Sequence, residues 1–359
     1  MAMIKTKKTL KKRAINWKLF LIPALCLVGL FLFYYIVPTA SGTYTITVLN
    51  GALIFYVANI GCALMLGQCG LVSFASVAFM GIGGYASALL AARLGMNPFL
   101  AMLLAAVLAM LIAWLLGLVL MRLNGTFFTF STIALVQICY TIFNGWKKVT
   151  GGPNGISQIP KPTFFGLEFS RSAREGGWDT FSNFFGVKYD PSDRVIFLYL
   201  VALLLVVLSL FVINRLLRMP LGRAWEALRE DEIACRSLGL SPTRIKLTAF
   251  TISAAFAGFA GTLFAARQGF VSPESFTFAE SAFVLAIVVL GGMGSQFAVI
   301  LAAILLVVSR ELMRDFNEYS MLMLGGLMVL MMIWRPQGLL PMTRVQLKLK
   351  NGQAKGEQA

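Results

Sequence analysis

The chain of 359 residues is 58% hydrophobic and only 13% charged, and its formal net charge is +16. A soluble domain usually carries about 25% charged residues, so this composition is too poor in charge to cover a soluble surface. The basic residues lie at the ends of apolar runs rather than on one patch, which argues against nucleic-acid binding and for membrane topology. The sequence contains no histidine, so the commonest general base and neutral-pH switch is missing.

Apolar runs that could cross a bilayer recur along the whole chain. A transmembrane helix needs about 20 mostly apolar residues. The predicted fold is therefore an all-α integral membrane protein of about ten transmembrane helices, which form a single domain over residues 19–341. The predicted spans contain no Asp, Glu, Lys or Arg, and they are Leu19–Val37, Thr43–Leu66, Gly70–Ala92, Asn97–Met121, Thr126–Trp146, Val195–Ile213, Leu247–Ala266, Ser281–Gly291, Gln296–Ser309 and Tyr319–Trp334.

Basic residues at the two ends set the expected orientation. Residues 1–18 hold seven Lys or Arg and no acid, and the tail 342–359 is also basic. The positive-inside rule places both ends in the cytoplasm, which requires an even number of crossings. The stretch Gly291–Ser295 is then a tight break between two half-length or tilted helices. The loop 147–194 is predicted to be external, and the loop 214–246 is predicted to be cytoplasmic.

What the spans and loops lack limits the mechanisms. A carboxylate or histidine inside the membrane is the usual working part of a proton-coupled carrier, and the predicted spans hold none. The sequence has no Gly-x4-Gly-Lys-Ser/Thr motif, so another chain must bind any ATP that drives the protein. The five cysteines have no metal-ligand spacing and are interpreted as small apolar packing residues. Neither a metal nor a cofactor is predicted for this chain.

The cytoplasmic loop contains a predicted amphipathic helix over residues 223–238, with apolar positions at 3.6-type spacing. Gly239 is predicted to end this helix in the left-handed conformation. Ser241 and Pro242 are predicted as the N-cap and first position of the next membrane helix. Two interpretations of the apolar side remain open. It rests on the bilayer interface, or it docks in a groove of a cytoplasmic partner.

A family resemblance is carried by this loop and by three further motifs. Glu232-Ile-Ala-Cys-Arg-Ser-Leu-Gly239, with the helix that runs through Ala257-Gly-Phe-Ala-Gly261, resembles the EAA-type loop of ABC importer permeases. The resemblance is closest to branched-chain amino-acid permeases of the LivM type, and it is tighter from about Thr150 onward than before it. The other matching motifs are Thr150-Gly-Gly-Pro-Asn-Gly155, Val289-Leu-Gly-Gly-Met-Gly-Ser295 and Trp334-Arg-Pro-Gln-Gly-Leu-Leu-Pro341.

The resemblance implies a permease subunit of an ABC importer for leucine, isoleucine and valine, located in the bacterial inner membrane. It implies four kinds of partner, namely a second permease, two cytoplasmic ATPases that bind the ATP, a periplasmic binding protein and the amino-acid substrate. The chain itself is then a transport subunit and not an enzyme. The residues expected to couple it to the ATPases are Arg223, Glu226, Arg229, Glu230, Glu232, Arg236 and Gly239.

Two further sets of residues are candidates for the pathway and for the external surface. Small residues at three- and four-residue steps permit close helix contact, so packing is the competing interpretation for each of the first set. Without charge in the spans, the pathway should be largely apolar and should hold a zwitterion only weakly. The pathway candidates are Ser73, Phe79, Gly81, Gly84, Tyr85, Gly291, Gly292, Gly294 and Ser295, and the external candidates are Thr150, Gly151, Gly152, Asn154 and Gly155.

Two rival functions remain open from the sequence. The first is the same type of ABC permease for another small solute, such as urea or a different amino acid. The second, from another class, is a self-sufficient carrier or channel. Uptake by this chain alone in proteoliposomes without ATP would favour the second rival.

Overall fold

The computed structural model describes four long stretches of the chain and a few isolated positions. The predicted span Leu19–Val37 and the basic ends 1–18 and 342–359 lie outside the described residues. Most of the predicted span Tyr319–Trp334 lies outside them as well, so these two spans stay predictions. The described residues are 41–123, 125–160, 191–292, 296–312, 322, 325, 326, 328, 329, 333 and 338.

The described chain is built of helices. The described stretches contain no strand and one isolated antiparallel bridge, between Ile156 and Val271. The prediction of an all-α chain is confirmed for these stretches. The helices are α1 (Ser41–Cys69), α2 (Ser76–Arg93), α3 (Pro98–Leu120), α4 (Thr126–Gly145), α5 (Lys147–Thr150), α6 (Pro191–Arg218), α7 (Pro220–Glu230), α8 (Glu232–Ser237), α9 (Pro242–Gln268), α10 (Phe278–Gly291) and α11 (Gln296–Leu312), with 3₁₀ turns at Gly152–Asn154 and Pro273–Phe276.

Five of the described helices, α1, α3, α4, α6 and α9, are long and apolar enough to cross a membrane. The outward faces of α3 and α6 are themselves apolar, and they expose side chains such as Leu103, Leu115, Leu204 and Phe211. A surface of this kind is an aggregation liability in water and suits contact with lipid or with another apolar protein surface. The several spanning helices agree with an integral membrane protein, and the total of ten stays a prediction.

The predicted span Gly70–Ala92 starts as a helix later than the sequence indicates. Residues 70–75 are not helical, and α2 begins only at Ser76. Gly70 has φ +70°, which leads the chain out of α1, and glycine accepts this conformation readily. The Ser73 hydroxyl then accepts a hydrogen bond from the Ala75 N–H at 3.3 Å. A serine two residues before an N–H favours such a local turn over a helix, which explains the difference.

Helix α9 is the centre of the fold and packs against α1, α2 and α3. Small residues let these backbones approach closely. A Cβ placed on Gly61 of α1 would lie 2.5 Å from the Ser253 carbonyl oxygen, and one placed on Gly258 would lie 2.8 Å from the Ala109 Cβ of α3. Gly83 of α2 faces the Gly258 backbone in the same way. Close contact between small residues is the usual means of joining helices in a bilayer.

Helices α10 and α11 form an antiparallel pair around Gly291–Ser295. A Cβ placed on Gly291 would lie 2.9 Å from the Ala298 carbonyl oxygen, and Gly292 has φ +104°. The pair meets again at its other end through Glu280 and Arg310. The helices hold 14 and 17 residues, and at about 1.5 Å per residue both are shorter than the roughly 30 Å of a hydrocarbon core. Two separate short helices on either side of this break are what the sequence predicts.

Candidate functional site

The predicted helix over residues 223–238 is in fact two helices, so that prediction is wrong. Asp231 lies between α7 and α8 in an extended conformation with φ −156° and ψ 114°. Its carboxylate accepts hydrogen bonds from the N–H groups of Ile233 at 2.7 Å and Ala234 at 3.1 Å. Aspartate is among the best N-cap residues, because it satisfies N–H groups that have no partner within the helix. Asp231 therefore starts a new helix instead of continuing the old one.

The apolar face of α7 lies against the chain's own helices. Trp225 is fully buried, and its indole N–H is within 3.2 Å of both the Ile245 carbonyl oxygen and the Thr248 hydroxyl in the first turns of α9. Leu228, one turn further along α7, is also buried. Neither the bilayer interface nor a partner's groove therefore receives this face. The indole side chain holds α7 to the start of α9.

Three of the charged residues that the sequence assigns to coupling, Arg229, Glu232 and Arg236, make side-chain contacts within the chain. The Arg229 guanidinium donates to the Gly67 carbonyl at the end of α1. Glu232 accepts from the buried Lys246 ammonium at 2.8 Å and from Arg236 at 3.0 Å. The hydrogen bond from Lys246, with help from Arg236, lowers the pKa of the Glu232 carboxyl from its ordinary value. These contacts fasten α7 and α8 to α1 and α9.

The surface of α8 is exposed, and part of it is apolar. Ile233 and Leu238 are each 78% exposed, while Cys235 between them is buried. Gly239 has φ +79° and follows the last residue of the helical turn, and α9 starts at Pro242 with Ser241 before it. The predicted positions of this stop and restart are confirmed. Of the charged residues predicted for coupling, the exposed ones are Arg223, Glu226, Glu230 and Arg236.

The predicted pathway residues of α2 are packed between other helices. Phe79 is buried edge-on against Phe250, and Tyr85 is buried and stacked on Phe143 with ring centroids 4.5 Å apart. A Cβ placed on Gly81 would lie 2.7 Å from the Phe143 ring. Close backbone and ring atoms also surround Gly84 and Gly291, and Ser73 is buried with its hydroxyl bound to the Ala75 N–H. Gly294 and Ser295 lie outside the described residues.

The predicted external candidates form a tight turn that is bound to the chain after α9. Thr150 is buried, and its hydroxyl donates to the Phe143 carbonyl at 2.6 Å. Ile156 pairs with Val271 through N–H to carbonyl bonds of 2.8 and 3.0 Å. A side chain on Gly155 would collide with the Val271 carbonyl. Asn154 is the exposed member, and Gly151, Gly152 and Gly155 all have positive φ. This turn positions residues 269–272.

A cavity of about 550 Å³ lies at the end of the core opposite to α8, and sequence reasoning missed it. We call this the end cavity. It is an open recess lined by α1, α2, α9, α10, α11 and the Pro273–Phe276 turn. Apart from Glu274, its charged lining consists of residues within two positions of the ends of the uncharged spans, which is the signal that could have located it. These residues are Arg267, Glu274, Glu280, Arg310 and Glu311.

Among the described residues, the end cavity holds one ion pair that is already formed and a second arginine that no carboxylate contacts directly. Arg310 binds Glu280 through two bonds of 2.6 and 3.0 Å and lies over the Phe283 ring at 5.1 Å. Arg267 donates to the Thr47 carbonyl at 3.0 Å, and within the described stretches this is its one hydrogen bond. No cluster of three or more Cys, Asp or Glu side chains in these stretches is arranged to hold a metal ion.

Comparison with known proteins shows which family this chain belongs to. The sequence pattern of the family described as "Branched-chain amino acid transport system / permease component" matches residues 44–332. The chain belongs to this branched-chain amino acid permease family. The family match covers every described helix from residue 44 to the end of α11. No solved structure matches the chain.

Individual relatives share long alignments with the chain. It is 74% identical over 307 residues to the high-affinity branched-chain amino acid transport system permease protein LivM of Salmonella typhimurium, covering 86% of this chain and 72% of the relative. It is 69% identical over 345 residues to LivM of Escherichia coli, covering 96% and 80%. It is 32% identical over 160 residues to the permease protein BraD of Pseudomonas aeruginosa, covering 43% and 52%. The resemblance is therefore not confined to the residues after Thr150.

Proposed function

We propose that the chain is the transmembrane permease subunit of an ABC importer for leucine, isoleucine and valine in the bacterial inner membrane. Its proposed partners are a second permease, two cytoplasmic ATPases that bind and hydrolyse ATP, and a periplasmic binding protein that delivers the amino acid. The family membership and the names of the relatives support the substrate class. The chain needs no cofactor of its own in this scheme.

The observation that carries the ATPase partnership is the exposed apolar pair on α8. Ile233 lies on a helix that is capped by Asp231 and anchored through Glu232 to Lys246, and Leu238 directly follows this helix. Exposed apolar residues on a rigid, charged surface are typical of a site that receives a protein groove. Because α7 and α8 are fastened to both α1 and α9, a push on α8 would move the central helix. Movement of α9 against α1 and α2 would then open the pathway alternately.

The proposed topology has ten crossings, with both chain ends and α8 in the cytoplasm. In support, the C-terminal end of α1 and the N-terminal end of α9 meet at α7, while Thr47 near the start of α1 meets Arg267 at the end of α9. The two helices thus run in opposite directions, as the second and the seventh of ten crossings should. Cysteine labelling should find positions near Lys8 and Lys350 cytoplasmic and a position near Gly177 external. An external C-terminus would exclude ten crossings.

The experiment that tests the docking surface replaces Ile233 and Leu238 by aspartate. Both side chains are exposed, so the variant should reach normal levels in the membrane. It should lose co-purification with the ATPases and lose ATP-driven leucine uptake. Leu94→Asp is the matched control, because Leu94 is similarly exposed at the opposite end of the bundle. Normal uptake by the α8 variant, with the ATPases still attached, would reject this surface as the docking site.

A further inference from the structure

The end cavity has the chemistry of a site for a zwitterion with an aliphatic side chain. We propose that it binds the substrate amino acid on its way into the permease, with the α-carboxylate on Arg267, the ammonium on Glu274 of the cavity lining, and the side chain on the apolar floor. This proposal deepens the proposed function and rests on it, since it presumes that the solute is an amino acid. Even without the substrate assignment, the same groups would predict a zwitterion that has an apolar side chain.

Arg267 is the cationic residue of the cavity that can bind a carboxylate. Its guanidinium lies over Gly51, where a Cβ would be 3.2 Å from Nη1, so glycine leaves room for it against α1. A guanidinium has five N–H donors in a planar fork that matches a carboxylate. The Thr47 carbonyl uses one of them at 3.0 Å. Among the described residues Glu311 attracts Arg267 electrostatically, but no carboxylate forms a direct ion pair with it. The other arginine of the cavity, Arg310, is already held by two bonds to Glu280.

The floor of the end cavity is apolar and aromatic. Phe55 of α1 and Phe283 of α10 meet edge to face with ring centroids 5.5 Å apart. Phe264 of α9, with Val77 and Met80 of α2, completes the apolar lining. The volume of about 550 Å³ lies within the roughly 300–1,000 Å³ of small-molecule sites. Charges at the rim above an apolar floor match an amino acid whose charged groups lie at one end and whose side chain is aliphatic.

On the same face of α1, beyond the apolar floor, lies the buried side-chain amide of Asn59. Val48, Gly51 and Phe55 line the cavity at helical spacing, and Asn59 comes one turn later. Asn59 is fully buried and donates to the Phe55 carbonyl at 2.7 Å, while its amide oxygen has no partner among the described residues. Buried polar atoms without a partner are rare. An acceptor here suits the ammonium group of a substrate that passes between Phe55 and Phe283.

The test measures amino-acid binding without the binding protein. The complete complex of both permeases and both ATPases, in lipid nanodiscs, is examined by saturation-transfer NMR with three probes. These are L-leucine, leucinamide, which lacks the carboxylate, and 4-methylpentanoate, which lacks the ammonium. The wild-type complex should bind leucine about tenfold or more tightly than either analogue, as expected for charge-assisted hydrogen bonds. Valine and isoleucine should compete with leucine.

The decisive variant is Arg267→Gln. It should bind leucine and leucinamide equally, because the group that distinguishes them is gone. Arg267→Lys keeps the charge without the fork and should be intermediate. Arg93→Gln removes the same charge at the same end but outside the cavity, where Arg93 donates to the Lys148 and Val149 carbonyls at 2.8 Å. It should preserve the discrimination between the two probes.

The outcomes separate this proposal from the proposed function. A wild-type complex that takes up no leucine with its binding protein and ATP refutes the proposed function. Leucine uptake by the wild type, with an Arg267→Gln variant that still prefers leucine over leucinamide, refutes the end cavity as the substrate site. The same holds if Arg267→Gln weakens only the association with the binding protein. That result would make the cavity a recess for protein docking instead.

Discussion

The two ends of the helical core use charged residues in opposite ways. At the α8 end, Glu232 and Arg229 turn inward to fasten two short helices, and the apolar Ile233 and Leu238 point outward. At the other end the charged residues surround a cavity, and the apolar residues form its floor. A convex surface with apolar projections suits a protein partner, whereas a concave one with charged walls suits a small solute. Helix α9 connects the two ends directly.

Among variants at the α8 end, the largest effect on ATPase association is expected for Trp225→Ala. The indole is fully buried and bonded to the start of α9, so its loss should cost about 3–5 kcal/mol locally. Helix α7 should detach, and ATPase association and uptake should both be lost, as measured by co-purification and leucine uptake. Trp146→Ala provides the control, because Trp146 is a mostly exposed tryptophan at the cavity end. Equal losses in both variants would contradict a special anchoring role for Trp225.

An intermediate effect is expected for Glu232→Gln. It leaves the buried Lys246 ammonium without its carboxylate, which should cost about 2 kcal/mol, less than the 3–5 kcal/mol of a fully buried pair because Glu232 is partly exposed. ATPase activity should become less dependent on leucine delivery, while leucine binding at the end cavity should not change. Glu226→Gln, on the exposed side of α7, leaves the Lys246–Glu232 pair in place and should not loosen the anchoring of α8. If Glu232→Gln changed leucine binding at the end cavity, the two ends of the helical core would not have separate functions.

The same anchor gives a pH dependence. The Lys246 hydrogen bond lowers the pKa of Glu232, so the stability that the ionised carboxyl contributes is fully present above its ordinary pKa. It is lost as the pH falls through the lowered pKa. Glu232→Gln should remove this acid dependence of α8 anchoring, as followed by proteolysis at residues 231–241. An unchanged acid profile in the variant would assign the dependence to another group.

The smallest local effect is expected for Gly239→Val. Its φ of +79° strains any branched residue, while a Cβ there would meet no atom within 4 Å. The cost should be about 1–2 kcal/mol, too little to unfold the bundle, so membrane levels should stay near normal. The reoriented α8 should nevertheless lose ATPase association and uptake. Gly95→Val is matched in strain, with φ +60° and equally open space, and should transport normally; Arg344→Ala in the basic tail should also do little. If Gly239→Val transports normally with its ATPases bound, the docking role belongs elsewhere.

The sequence predicted the helical fold, the stop at Gly239 and restart at Pro242, and the break after Gly291, because each has a local signal in apolar run length, glycine or proline. It could not predict that Asp231 divides the coupling helix, since an acidic residue inside an amphipathic pattern also fits a continuous helix. The end cavity was missed for a different reason. Arg267, Glu280 and Arg310 are far apart in sequence, and only the packing of α9, α10 and α11 brings them together.

Leucine uptake into proteoliposomes tests most directly the claim that partner ATPases drive this permease through α8. The complete complex with its binding protein should accumulate leucine only when ATP is present on the side that carries α8. This chain alone should not respond to an imposed pH gradient, because its predicted spans carry no carboxylate for a proton. Strong uptake by this chain alone, driven by the pH gradient without ATP, would contradict the account.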